Sequence, residues 1–147
     1  MIVTMRDWAN LYPVCLFAIF MIAFCLSKKT GKRQFLLQTL GALFIVIILA
    51  HLNRWFHIWP SHKLFPSAHM SFCLGVSVSL GMLRPWTLAI TLPLLVPFGA
   101  LILSQHYHSL FDLLGAIPLV LVVYGLVHWN WIRRAPSPPL DSGEDKP

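Results

Sequence analysis

Five long apolar runs, separated by short polar segments, constrain this 147-residue sequence more than any other feature. The runs lie at residues 11–26, 35–52, 70–83, 86–103 and 109–128. A helix that crosses a bilayer needs about 20 apolar residues, and every backbone polar group must be satisfied within it. The third run reaches that length only with residues 67–69 and the Arg84-Pro85 turn. The sequence predicts an all-α, polytopic membrane helix bundle of about five transmembrane helices, in a single domain over residues 1–132.

Composition excludes several other classes of protein. Hydrophobic residues make up 57% of the chain and charged residues 11%, which is typical of a membrane protein. The formal net charge is +6, but the basic residues fall in short clusters, so no nucleic-acid partner is expected. The three cysteines lie inside apolar runs and form no CxxC pair, which argues against a disulfide framework. Residues 133–147 are rich in Pro, Ser and acidic residues and are predicted to form a disordered tail.

The distribution of basic residues predicts the orientation of the helices. If the runs alternate across the membrane, one side holds Lys28, Lys29, Lys32, Arg33, Arg84, Arg133 and Arg134. The other side holds Arg6, Arg54 and Lys63. The positive-inside rule then places the N-terminus outside and the tail in the cytoplasm, as in the inner (cell) membrane of a bacterium. A signal peptide is the weaker interpretation of the first run, since the basic cluster follows it and no small-x-small cleavage site does.

Two polar segments, residues 65–70 and 105–112, lie between apolar runs on the predicted outer side. In the first, Pro66 suits the loop before a helix, and Ser67 is a good N-cap for the run that begins at Met70. His69 would lie in the first helical turn, where free N–H groups and the helix dipole favour an anion such as phosphate. Six of the seven histidines fall near the outer ends of the predicted helices: His51, His57, His62, His69, His106 and His108.

In the second segment, His108 and Asp112 are spaced i, i+4 and can share one face if the last helix begins near Ser109. A carboxylate bonded to one ring nitrogen leaves the other nitrogen to act as a nucleophile or base. Asp112 is the only acidic residue within residues 8–140, and such a group at a membrane helix is costly unless paired. An interfacial Asp facing the headgroups is the simpler alternative. His106 is the other candidate partner for Asp112, but it lies six residues before Asp112, and this spacing points it to another face of the helix.

The two segments resemble the signature motifs of the type 2 phosphatidic acid phosphatase (PAP2) superfamily. Pro66-Ser67-Ala68-His69 is similar to its PSGH motif, and the HxxxD motif is matched by residues 108–112. The two histidines are 39 positions apart, separated by one predicted helical hairpin, and each motif opens an apolar helix. The resemblance covers residues 51–115 and implies a PAP2-like core with its site on the outer face.

The resemblance implies a covalent, two-step reaction on a lipid phosphate substrate held in the bilayer. His108 would attack phosphorus and form a phosphohistidine, and Asp112 would orient His108 and stabilise its charge. His69 would protonate the departing oxygen and then activate water or another acceptor. Ser67 and nearby backbone N–H groups would hold the phosphate oxygens. This chemistry requires no metal and no other cofactor.

The sequence departs from the family pattern at the groups that usually clamp the phosphate. No KxxxxxxRP motif precedes Pro66, a Ser-Arg pair is replaced by Leu101 and Ile102, and Ala68 replaces a glycine. The substrate-binding candidates besides Ser67 are two outer-side cations and two residues before the nucleophile: Arg54, Lys63, Gln105 and His106. Arg54 is favoured because a guanidinium binds phosphate in a bidentate manner. An interfacial arginine facing the headgroups is its simpler interpretation.

Three alternatives to a lipid phosphatase stay open at this point. One is a lipid phosphotransferase, since Gln-His-Tyr at 105–107 resembles superfamily branches related to inositol phosphorylceramide synthase. A second is a non-catalytic relative that binds anionic lipid, which the missing cations favour. The third is a metal enzyme in which histidines such as His106 and His108 are ligands. A homo-oligomer is compatible with so small a bundle.

Overall fold

The computed structural model describes residues 5–27, 31–56, 66–106 and 108–133. They form α1 (Met5–Leu26), α2 (Lys32–Phe56), α3 (Ala68–Leu83), a 3₁₀ turn (Pro85–Thr87), α4 (Leu88–Ser104) and α5 (Leu110–Arg133). The described residues contain no strand, so the predicted all-α fold is confirmed for them. Helix α5 continues one residue into the predicted tail, and residues 134–147 lie outside the described part of the chain.

Three helical stretches are long and apolar enough to cross a membrane: Lys32–Leu52, Pro85–Ser104 and Leu110–Trp129. Two further stretches, Asn10–Leu26 and Ala68–Leu83, are apolar but shorter. By length and composition the chain is therefore a membrane protein. Helix α3 has 16 residues because Ser67 caps its start and Arg84-Pro85 ends it. At about 1.5 Å per residue it is about 24 Å long.

Helix α3 is the central helix of the bundle. It contacts α1, α2, α4 and α5, and ten of its 16 residues are buried. Small residues favour this position, because Ser71, Gly75 and Ser79 recur every four residues and let neighbouring helices approach closely. The hydroxyls of Ser77 and Ser79 donate to the carbonyl oxygens four residues earlier, at 2.8 and 2.9 Å. These bonds satisfy the two hydroxyls inside an apolar environment.

Helices α3 and α5 run parallel and share one register. At one end, the backbone N–H of Ser67 donates to the carbonyl oxygen of Asp112 at 3.1 Å. Twelve residues further along each helix, Ser79 Oγ lies 3.0 Å from the hydroxyl oxygen of Tyr124. Both contacts join residues that are 45 positions apart in the chain. The two helices therefore keep the same alignment over about three helical turns. A Cβ on Gly75 would lie 3.0 Å from the Tyr124 hydroxyl, so glycine favours this close contact.

Three prolines lie inside the last two helices without ending them. Pro93 and Pro97 in α4 and Pro118 in α5 are all exposed on the outside of the bundle. The sequence predicts such tolerance for apolar membrane helices, where the freed carbonyl groups find other partners. Pro85 instead stands directly after α3 and opens the 3₁₀ turn that leads into α4. Its position at the start of a helical turn is the one that proline prefers.

Candidate active site

Ser67 forms the N-terminal cap of α3, as the sequence predicts. Its backbone is extended, with φ −64° and ψ 119°, and its hydroxyl accepts the N–H of Met70 at 3.4 Å. Ser67 has no exposed surface. Pro66 before it is also buried and lies against α5, where a Cβ on Gly115 would be 3.7 Å from Pro66 Cγ. The first motif is therefore packed against the helix that carries the second.

A main-chain hydrogen bond joins the two motifs directly. The N–H of Ser67 donates to the carbonyl oxygen of Asp112 at 3.1 Å, although the two residues are 45 positions apart. A backbone bond of this kind leaves little freedom in the relative position of the two helix starts, because both helices are rigid beyond it. The N-terminus of α3 and the N-terminus of α5 thus form one surface at one end of the bundle.

Ser109 caps the N-terminus of α5, a role that the sequence reasoning missed. The N–H of Asp112 donates to Ser109 Oγ at 3.2 Å, and the N–H of Ser109 donates to Asp112 Oδ2 at 2.8 Å. This reciprocal pair is a capping box, whose sequence signal is a serine three residues before an acidic residue at the start of an apolar run. Asp112 is only 7% exposed, and the box explains how its carboxylate is tolerated there.

His108 lies in the bend before α5 and not on the helix, which begins at Leu110. Helical spacing is therefore not what brings His108 to Asp112, in contrast to the expectation from sequence. The two side chains nevertheless approach, with His108 Nδ1 3.7 Å from Asp112 Oδ2. This distance exceeds a hydrogen bond but allows an ion pair with a protonated imidazole. The His108 side chain is 25% exposed and that of Asp112 10%, so the pair is reached from the His108 side.

The other predicted site residues in the described chain lie at the same end of the bundle. His69 is exposed in the first turn of α3, two residues after the Ser67 cap. Gln105 is the cap that directly follows α4 and is half-buried, and His106 follows it in the turn and is exposed. His106 has φ 56°, which is uncommon for a residue other than glycine and marks a tight turn. This turn returns the chain to His108 at the start of α5.

The basic side chains that the structure describes all lie at the opposite end of the bundle: Lys32, Arg33, Arg84 and Arg133. Arg54 belongs to the last turn of α2, but its side chain lies outside the described part of the structure. Lys63 lies outside it altogether, as do His57 and His62. The described part of the site end therefore offers backbone N–H groups and histidines to an anion, and no described Lys or Arg side chain.

Metal-ligating groups are not gathered in the described ranges 5–27, 31–56, 66–106 and 108–133, where no set of three His, Cys, Asp or Glu side chains could hold an ion. His51, a possible donor to a ligand, uses its Nδ1 in a 2.8 Å bond with the carbonyl oxygen of Ile47 in its own helix. Its ring is thereby held along α2.

No family model, no curated protein and no solved structure matches this chain. The geometry of the two motifs is therefore the basis for assigning a function. That geometry combines a capped helix N-terminus, a His–carboxylate pair and a second, exposed histidine at one end of the bundle. Such a set can bind an anion, attack it with an imidazole nitrogen, and move a proton to or from a reacting oxygen.

Proposed function

We propose that this chain is an integral-membrane lipid phosphatase, which hydrolyses a phosphate or pyrophosphate monoester of a lipid through a phosphohistidine on His108. The observation that carries the proposal is the hydrogen bond from Ser67 to Asp112. It joins a helix N-terminus, which attracts phosphate, to a His–carboxylate pair, which supplies a nucleophile. The resemblance of both segments to the PAP2 motifs supports the same reaction.

His108 is the nucleophile in this mechanism. Its Nδ1 faces Asp112, so its Nε2 attacks phosphorus, and the N–P bond forms as the bond from phosphorus to the lipid oxygen breaks. Asp112 stabilises the positive charge on the ring, while His69 gives a proton to the departing oxygen. In the second step His69 takes a proton from water, the water oxygen attacks phosphorus, and the N–P bond breaks. Phosphate leaves, and His108 is restored.

The first turn of α3 is the phosphate-binding element. The first N–H groups of a helix have no intrahelical partner, and the N–H of Met70 is taken by Ser67 Oγ. The N–H groups of Ala68 and His69 are then the donors for a phosphate, and the positive end of the helix dipole adds to their attraction. Remaining phosphate oxygens would be held by side chains proposed from the sequence: Arg54, Lys63, Gln105 and His106.

Exposed apolar side chains beside the site support a lipid as the substrate. Leu110 and Phe111 follow the Ser109 cap directly and are 56% and 65% exposed. In a bilayer these side chains lie against acyl chains, only two or three residues from the nucleophile His108. The positive-inside rule favours an orientation with this end on the outer face, the N-terminus outside and the C-terminus inside. The phosphate would then be presented from the outer leaflet.

A second candidate is a non-catalytic protein that binds anionic lipid at the same end. The observation that favours it is the hydrogen bond from the Ser109 N–H to Asp112 Oδ2, which at 2.8 Å is shorter than the 3.7 Å separation from His108. On this interpretation Asp112 is a helix cap and His108 an interfacial residue. Covalent phosphorylation of His108 separates the two candidates, because only the phosphatase passes through that intermediate.

Phosphate release by the detergent-purified protein tests the proposal. The panel contains phosphatidate, phosphatidylglycerol phosphate, a polyprenyl pyrophosphate and lipid A. Wild type is compared with His108→Ala and with the control His51→Ala, whose ring is bonded to its own helix. We expect release by wild type and the control, none by His108→Ala, and no effect of EDTA. Release that His108→Ala retains would contradict the mechanism, and phosphate passed to a lipid or sugar hydroxyl would indicate a phosphotransferase.

A further inference from the structure

His128 is buried in the half of the bundle opposite the proposed active site. It has no exposed surface, and neither ring nitrogen has a hydrogen-bond partner among the described residues. The rings of Tyr124 and Phe35 lie beside it, with centroids 5.5 and 5.6 Å from that of His128. Such ring contacts do not satisfy the two nitrogens. A buried imidazole is unfavourable in this condition, because it has lost its hydrogen bonds to water.

Thr39 brings a second unsatisfied group from the neighbouring helix. It too is fully buried, and its hydroxyl has no partner within the described ranges. On α2, Thr39 lies one turn after Phe35, which contacts the His128 ring, and one turn before Leu43, which packs near the Tyr124 hydroxyl. Thr39 therefore lies between these contacts, on the face of α2 that packs against α5.

Several buried hydroxyls of the bundle are satisfied within their own helices, whereas those of Tyr12 and Ser71 have no partner among the described residues. Thr91 donates to the carbonyl oxygen of Thr87 at 3.0 Å, and Ser77 donates to that of Cys73 at 2.8 Å. Thr39 makes no such bond, and its place one turn after Phe35 puts it on the α2–α5 contact to which the unsatisfied ring of His128 also belongs. Two buried groups on facing helices that both need a partner point to a shared ligand.

We propose that Thr39 and His128 bind a buried water molecule that bridges α2 and α5. Water both donates and accepts, as an imidazole with one N–H and a hydroxyl require, and a buried water makes about three hydrogen bonds. The Tyr124 hydroxyl, which is bonded to Ser79 at 3.0 Å, is the third partner. This site is distinct from the proposed active site, because Asp112 and His128 are 16 residues, or about 24 Å, apart along α5.

Melting temperatures of the full chain in nanodiscs test the bridge. Thr39→Val and His128→Phe remove polar atoms and keep much of the side-chain volume. With a bridging water, each single variant leaves the other group unsatisfied, so each lowers the melting temperature by several degrees, and the double variant loses less than the sum. If each variant instead melts at or above the wild-type temperature and the effects add, the proposal is overturned. Thr91→Val is the matched control and should show no coupling to His128→Phe.

X-ray radiolysis distinguishes a bound water from a direct bond between Thr39 and His128. Hydroxyl radicals formed from a bound water oxidise the side chains around it, even where bulk solvent does not reach. We expect oxidation of Tyr124, which is 3% exposed, in wild type and its loss in the double variant. Coupled melting temperatures without oxidation of Tyr124 would indicate a direct bond and overturn the water site. Neither measurement depends on phosphatase activity.

Discussion

Asp112 accepts the backbone N–H of Ser109 at 2.8 Å through Oδ2, the carboxylate oxygen that also faces the His108 ring at 3.7 Å. One carboxylate thus caps α5 and lies beside the proposed nucleophile. The cap holds the charge in position before a substrate binds, and a charge fixed in advance needs no reorganisation during the reaction. The two roles can be separated by mutation, because an amide side chain keeps the helix cap and loses the negative charge beside His108.

Asp112→Asn is expected to keep the fold and lose activity. The amide oxygen of Asn can still accept the N–H of Ser109, so the melting temperature should change little. The negative charge that stabilises a His108 imidazolium is gone, and the rate of phosphate release should fall about 10²–10⁴-fold. Rate and melting temperature are measured on the same preparation. A rate equal to that of wild type would remove Asp112 from the catalytic pair.

Ser109→Ala is expected to affect stability more than activity, which is the reverse of Asp112→Asn. It removes the hydroxyl that accepts the N–H of Asp112 at 3.2 Å, and loss of such a cap costs about 1 kcal/mol of stability. The charge of Asp112 stays, so phosphate release should fall less than in Asp112→Asn. Thermal melting in detergent measures the loss. Unchanged stability would show that the box does not hold the start of α5.

His69→Ala is expected to impair departure of the lipid oxygen. His69 is exposed in the first turn of α3, where it can give a proton to the leaving group. The loss should be about 10²–10⁴-fold for a lipid alkoxide and much smaller for p-nitrophenol, which leaves without a proton. Rates are compared over a series of phosphate esters with leaving groups of different pKa. If the rates of wild type and His69→Ala depend equally on the pKa of the leaving group, His69 is excluded as the general acid.

Gly75→Ala is expected to destabilise the bundle by about 1–3 kcal/mol through overpacking. The added Cβ would lie 2.9 Å from Leu43 Cδ2 and 3.0 Å from the Tyr124 hydroxyl, so both side chains must move away from α3. Gly125→Ala is the matched control, since a Cβ there meets nothing within 4 Å. That control should be neutral or stabilising by up to about 1 kcal/mol, because alanine favours a helix. Comparable melting temperatures for the two variants would contradict the close α3–α5 contact.

Cysteine labelling tests the proposed orientation. In a background with Cys15, Cys25 and Cys73 replaced, His106→Cys should react with a membrane-impermeant maleimide added to intact cells. Arg33→Cys, at the opposite end of the bundle, should react only after the membrane is opened. Both positions are exposed, so access to the reagent decides the result. The reverse pattern would place the candidate site on the cytoplasmic face.

The parts of the fold that the sequence predicted are those that depend on residues close together in the chain. The apolar runs predicted all five helices, and Pro66-Ser67 predicted the start of α3. Hydropathy and capping depend on residues close together in the chain, so they can be recognised without knowledge of the fold. The capping box of Ser109 and Asp112 belongs to the same class, and its Ser-x-x-Asp spacing stands in the sequence.

The sequence by itself thus determined a helical membrane protein with two polar segments that open apolar helices. Only the tertiary structure decided that α3 is central, that α3 and α5 run parallel in one register, and that His108 reaches Asp112 from a bend. It alone placed His128 against Phe35 and Tyr124 in the other half of the bundle. The reason is physical: these contacts join residues far apart in the chain, and they depend on how small residues of one helix accommodate large residues of another.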